Sequence, residues 1–130
     1  MLQGSQATIQ RMYSSQVLDH FQNPRNAGEL ANPDVRIRLE NPACGDILEL
    51  AAKIENGVVG EIRFRAKGCV PAMACGSLLT EMTTGKTLQQ AGALDREALV
   101  REIGGLPEAS GHAGQLAIDA LKALLAKVGF

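Results

Sequence analysis

Residues 35–67 read VRIRLENPACGDILELAAKIENGVVGEIRFRAK. Val35, Ile37 and Leu39 alternate with Arg36, Arg38 and Glu40. Leu48, Leu50, Ala52 and Ile54 alternate with a mostly polar side carrying Glu49 and Lys53, and Ile62, Phe64 and Ala66 alternate with Glu61, Arg63 and Arg65. A period of two with one apolar side is the signature of a half-buried strand. Asn56-Gly57 separates the second and third runs and predicts a tight hairpin, because Asn and Gly accept the positive φ of such turns. Hairpin-linked strands run antiparallel and can leave one face wet. The reading is a three-stranded antiparallel meander.

Outward from this core the pattern turns helical. Upstream, Ser14 to Phe21 predicts a short helix, capped by Ser14 or Ser15, with Val17, Leu18 and Phe21 on one face. Asn23-Pro24 stops it, and a loop runs through Gly28 to Pro33. Downstream, Pro71 sits where a first helical turn would begin and Gly85 where that helix would end. Arg96 to Ile103 predicts a shorter helix. A last one runs from about Gln115 to Lys127, with Leu116, Ala120, Leu121, Leu124 and Val128 on one stripe. Helices on the apolar side of the meander make an α+β, two-layer sandwich.

Composition bounds the function. The chain has 130 residues, with no Trp, one Tyr and three Phe, so its core must be built from Leu, Ile, Val, Ala and Met. The formal net charge is −1 and no basic block stands out, which speaks against nucleic acid. The apolar runs are too short to cross a bilayer. Residues 1–12 read as a flexible arm, and Met12 itself is a possible start of the folded domain, 13–130. Met1 to Arg11 carries no apolar stretch of the kind a secretory signal needs. Three Cys without an export signal favour reduced thiols in the cytoplasm over a disulfide framework.

Topology alone brings chemistry to one edge. If the first strand runs up, Asn41-Pro42-Ala43-Cys44-Gly45-Asp46 connects at the top and the Asn56-Gly57 turn lies at the bottom. The third strand then returns to the top at Gly68-Cys69. Cys69 opens the helix near Pro71, where the helix N-terminus and Lys67 would both favour thiolate. Asp46 adds a carboxylate from the same loop as Cys44. Either Cys alone reads best as a small buried apolar residue, and Asp46 alone as a turn residue. Two Cys in Gly-flanked loops beside an acid shift the reading toward metal ligands. His112, in Ser110-Gly111-His112-Ala113-Gly114, would by itself be a solvated loop residue. Its imidazole would complete a four-coordinate site, although no spacing brings it there. Cys75 lies six residues after Cys69, about 9 Å along a helix, and reads as packing.

These motifs resemble the IscU/NifU-type iron–sulfur cluster scaffold family. Tyr13 and Asp19-His20-Phe21-Gln22-Asn23-Pro24-Arg25-Asn26-Ala27-Gly28 are similar to its opening. Asn41 to Asp46 matches its first ligand loop. Gly68-Cys69, with the Ala- and Ser-bearing helix ending in Thr80-Glu81, matches the second. Leu106-Pro107 with His112, Leu116-Ala117 and Asp119-Ala120 matches the third. The resemblance implies a scaffold or carrier rather than an enzyme. Cys44, Asp46, Cys69 and His112 would hold iron or a [2Fe-2S]-type cluster, or zinc in the cluster-free state. It also implies a cysteine desulfurase as sulfur donor, apo iron–sulfur proteins as recipients, and a monomer or weak homo-oligomer.

The sequence departs from the family pattern in places. Ala113 stands where the family has its third Cys, a favoured acceptor of persulfide sulfur. Cys75 stands where it usually has Ser. Leu106-Pro107-Glu108-Ala109-Ser110 replaces Leu-Pro-Pro-Val-Lys, which speaks against docking to the dedicated Hsp70-type chaperone. The insertion typical of the zinc-dependent sulfur-acceptor branch has no room here. The rival readings are a degenerate paralogue that binds zinc or iron without building a cluster, an enzyme with Cys69 as nucleophile, His112 as base and Asp46 as orienter, and an interaction module with inert Cys.

Overall fold

The computed structural model describes residues 12–130. The arm expected over residues 1–12 lies, Met12 apart, outside them. Strands β1 (Val35–Glu40), β2 (Ile47–Glu55) and β3 (Val58–Lys67) form one antiparallel sheet in the order β1-β2-β3. Leu50 pairs with Ile37 on one side and Phe64 on the other, so the apolar residues stack on a single face. Asn56 and Gly57 have φ of 54° and 74°, the left-handed pair that the hairpin requires.

Helices cover the apolar face. They are α1 (Ser15–Gln22), α2 (Val70–Thr83), α3 (Leu88–Gly92), α4 (Arg96–Glu102) and α5 (Gly111–Lys127). Helix α2 packs on β3, α1 and α5, while α5 lies across β1 and β2. Leu48, Leu50, Ile62, Leu79, Leu121 and Leu124 are buried where these layers meet, and each such side chain stabilises by about 1.5–3 kcal/mol. Helix α2 is enclosed on nearly every side, so it shows no polar stripe. At Gly76 it approaches the sheet so closely that a Cβ would stand 2.8 Å from Phe64 Cδ2.

The structure departs from expectation in α1, α3 and α5. In α1, Ser14 caps the helix by accepting from Val17 N, but the buried pair is Val17 and His20, and Phe21 is exposed. His20 takes the inner position because Ser77 Oγ lies 2.7 Å from its Nδ1. Helix α3 went unforeseen, although its capping box is readable in Thr87 and Gln90. Helix α5 begins at Gly111 rather than near Gln115, since a 3₁₀ turn over Glu108–Ser110 feeds straight into it. His112 therefore sits in a first helical turn, not in a loop.

The opening loop closes the free side of β3. Phe64 N donates to Asn26 O and Gly28 N donates to Phe64 O. Further along the strand, Val59 N donates to Lys86 O and Gly85 N to Val59 O. Arg25 N donates to Ser77 Oγ and Asn26 Nδ2 to Thr80 Oγ1, which ties the loop to α2 as well.

Candidate metal centre

The β1–β2 connection is a closed loop. Gly45 N donates to Asn41 O, Asn41 N donates to Asp46 O, and Asn41 Oδ1 accepts from Ala43 N. Gly45 supplies the positive φ of 78° at the turn. Cys44 is thereby left exposed at the loop tip while Asp46, two residues on, is only 4% exposed. The end of β3 meets Asp46 from the other side. Asp46 Oδ1 accepts from Cys69 N at 3.3 Å, and Oδ2 accepts from Cys69 Sγ at 3.2 Å. Cys69 is the N-cap of α2.

His112 joins from α5, with Nε2 3.4 Å from Asp46 Oδ2. One ligand atom each from Cys44, Asp46 and His112 lies within 4.8 Å of the others. The structure thus brings together all four residues singled out in the sequence, with Asp46 at the centre touching both Cys69 and His112.

Electrostatics around Asp46 and Cys69 are coupled. Burial of Asp46 works against its ionisation. The hydrogen bonds from the Cys69 and Cys44 side chains, the Cys69 N–H and the nearby His112 outweigh burial and hold the carboxyl below its ordinary value. Cys69 moves the other way. Burial first, then the hydrogen bond and charge of Asp46, push its thiol up to about 11. The expectation that the helix N-terminus and Lys67 make this thiol a thiolate is not met, because desolvation and the adjacent carboxylate are stronger than the helix end. The Cys69 thiol accordingly donates to the Asp46 carboxylate.

The remaining cysteine behaves as packing. Cys75 is fully buried, and burial pushes its thiol up to about 12. Ala113, beside His112, is buried in the same core. One contributor was named in the sequence reading without being given a role. Gly68, with φ of 142°, lies against the Asp46 carboxylate where no side chain would fit. A glycine between the strand end and Cys69 was the available signal.

The fold and this cluster define a two-layer α+β domain carrying thiols, a carboxylate and an imidazole at the open end of its sheet. The NifU-like N terminal domain family model matches residues 12–128, and the chain belongs to that family. It is 41% identical over 111 residues to iron-sulfur cluster assembly scaffold protein IscU 1 of Archaeoglobus fulgidus, covering 85% of this chain and 72% of that protein. It is 40% identical over 118 residues to the scaffold protein IscU of Haemophilus influenzae, covering 88% of this chain and 93% of that one. The crystal structure of a putative SUF-system scaffold from Fervidobacterium islandicum superposes with a TM-score of 0.73 at 19% identity, covering 88% and 97% of the two chains. That likeness speaks for the fold. Among the described residues no helix is long and apolar enough to cross a membrane.

Proposed function

We propose that this protein is an iron–sulfur cluster assembly scaffold. It collects iron and sulfide at the sheet end through Cys44, Asp46, Cys69 and His112, and passes the product to apo-proteins. The observation that carries this reading is the convergence of Cys44, Asp46 and His112 ligand atoms within 4.8 Å, with Cys69 bonded to the same carboxylate. Family membership supports it.

The donor set fits the cargo. Thiolates favour iron–sulfur clusters, while Asp46 and His112 are harder donors that exchange more readily, as delivery requires. Cys44 is exposed, so an arriving or departing cargo meets it without opening the core. A cysteine desulfurase is the sulfur donor in this reading, with cytoplasmic apo-proteins as recipients. The chain acts as a carrier, not as a catalyst.

A second reading is favoured by Ala113. With no thiol at that position and Cys75 buried, the site offers only the sulfurs of Cys44 and Cys69. Two thiolates, an imidazole and a carboxylate also suit a single tetrahedral zinc or ferrous ion. One experiment separates the readings. The protein is purified without chelator, its zinc and iron are measured, and it is reloaded anaerobically with ferrous iron and sulfide. Visible cluster absorbance that disappears in Cys44→Ala and Cys69→Ala supports the scaffold. Metal without sulfide supports the mononuclear site, and full occupancy in either variant removes that residue from the ligand set.

A further inference from the structure

Charge is segregated on this molecule. The solvent face of the sheet carries Arg36 and Arg38 from β1, Lys53 from β2, and Arg63, Arg65 and Lys67 from β3. Against these six cations the same face holds four acids, Glu40, Glu49, Glu55 and Glu61. Among the described residues six cations and ten acids remain elsewhere, so the face carries +2 and the remainder −4.

Pairing within the chain does not neutralise the face. Arg63 bonds Glu61, Arg65 bonds Glu29 and Arg38 approaches Glu40, all on exposed or half-exposed side chains, where such pairs contribute little. Among the described residues no acid pairs with Arg36, Lys53 or Lys67. The register sets Arg36 and Arg63 on either side of Ala51. The small alanine leaves a shallow hollow bordered by Arg36, Arg63 and Arg65 on one hand and by Glu29 and Glu49 on the other.

We infer that this sheet face is a docking surface for an acidic protein surface, one that presents clustered Asp and Glu side chains. Guanidinium forks match carboxylates in two-point geometry. Glu40, Glu49, Glu55 and Glu61, interspersed among the cations, oppose the unbroken charge of a phosphate backbone. No aromatic side chain is available on this face to stack a base, since Phe64 points into the core. The face ends at Lys67, immediately before Gly68-Cys69, and at Glu40, immediately before the Cys44 loop. A partner seated here borders the metal centre. The inference does not depend on what that centre holds.

The test uses the full-length protein and a fluorescein-labelled oligoglutamate peptide, followed by fluorescence anisotropy at low and moderate salt. Binding that weakens with salt is expected, and Arg36→Glu with Arg65→Glu should reduce affinity by about tenfold or more. Reversing the same number of charges on the helical side, with Lys122→Glu and Arg101→Glu, should leave affinity within about twofold. Arg36→Gln with Arg65→Gln should give an intermediate loss, and circular dichroism checks that every variant is folded. Equal weakening by the two charge-reversed pairs would overturn the inference, because only net charge would then matter. Tighter binding of a single-stranded DNA of the same charge would overturn it in favour of a nucleic acid. A dimer in sedimentation that the Arg36 and Arg65 reversals dissociate would assign the face to a second copy of this chain instead.

Discussion

Gly68 and Asp46 occupy adjoining space with none to spare. A Cβ on Gly68 would overlap Asp46 Oδ1 and stand 2.7 Å from its Cγ. The carboxylate can lie against the Cys69 N–H and thiol only because the preceding residue has no side chain. Gly68→Ala should therefore displace Asp46 and weaken zinc binding by about tenfold, within the range seen when groups supporting a metal ligand are lost. The check is a double-mutant cycle on zinc affinity by competition with a chromophoric chelator. In an Asp46→Ala background the Gly68→Ala change should cost little more. Additive losses would mean that Gly68 acts through backbone strain alone. No loss in Asp46→Ala itself would take the carboxylate out of the ligand set.

His20 makes stability depend on pH. Burial, then the positive charge of Arg25, lower its pKa below 6.5, while Glu81 and Asp19 work in the opposite direction. The folded protein thus binds this proton less readily than the unfolded chain. The stability associated with neutral His20 is complete above about pH 6.5 and is lost as pH falls through the lower folded value. Urea unfolding across mildly acidic pH should show a steeper decline for the wild type than for His20→Gln. Equal slopes would show that the histidine is no more buried in effect than its unfolded counterpart.

Gly76→Ala should destabilise despite its position inside a helix. Alanine gains up to about 1 kcal/mol in helix propensity. Here its Cβ would meet the rigid ring of buried Phe64 at 2.8 Å and Leu48 Cδ1 at 3.2 Å. Overpacking of this kind costs about 1–3 kcal/mol, so a net loss on the order of 1 kcal/mol is expected. Thermal or denaturant unfolding measures it. A stabilised variant would show that α2 can lift from the sheet.

The thiol count can be changed from α5 and α2 separately. Ala113→Cys places a third sulfur next to His112, whose imidazole already reaches Asp46. It should raise cluster occupancy and lifetime after anaerobic loading, read from visible absorbance, and restore persulfide acceptance when a compatible desulfurase is supplied. Cys75→Ser should leave loading unchanged, because Cys75 sits six residues along α2 from Cys69, whereas Ala113 directly follows His112 in the first turn of α5. Loss of loading in Cys75→Ser, with no gain in Ala113→Cys, would assign the third sulfur to α2.

The sheet was legible because alternation in β1, β2 and β3 is a local signal, and the Asn56-Gly57 turn sets the pairing. That in turn placed Cys44, Asp46 and Cys69 at one end without any appeal to other proteins. His112 was not legible in this way. Its approach to Asp46 depends on how α5 crosses the sheet, which no local pattern encodes, and only resemblance drew it in. The ionisation of Cys69 was misjudged for a similar reason. A helix end and a neighbouring lysine can be read from sequence, but the desolvation and the carboxylate contact that outweigh them arise from packing. His20 was passed over because its partner, Ser77, lies 57 positions away.

That separation bears on the order in which the molecule assembles. The β2–β3 hairpin closes locally, whereas the loop around Arg25 and Asn26 must find Ser77 and Thr80 at sequence separations of 52 and 54. Such closures carry a larger entropic cost and tend to come after local structure has formed. A segment added late and held by few bonds is also among the first to open from the native state. Opening it would strip Phe64 of its partners at Asn26 and Gly28 and leave part of a strand edge unpaired, the kind of surface on which chains associate wrongly. Residues 23–28 thus guard solubility, and damage to them should show as aggregation of the newly made chain before any defect in metal handling.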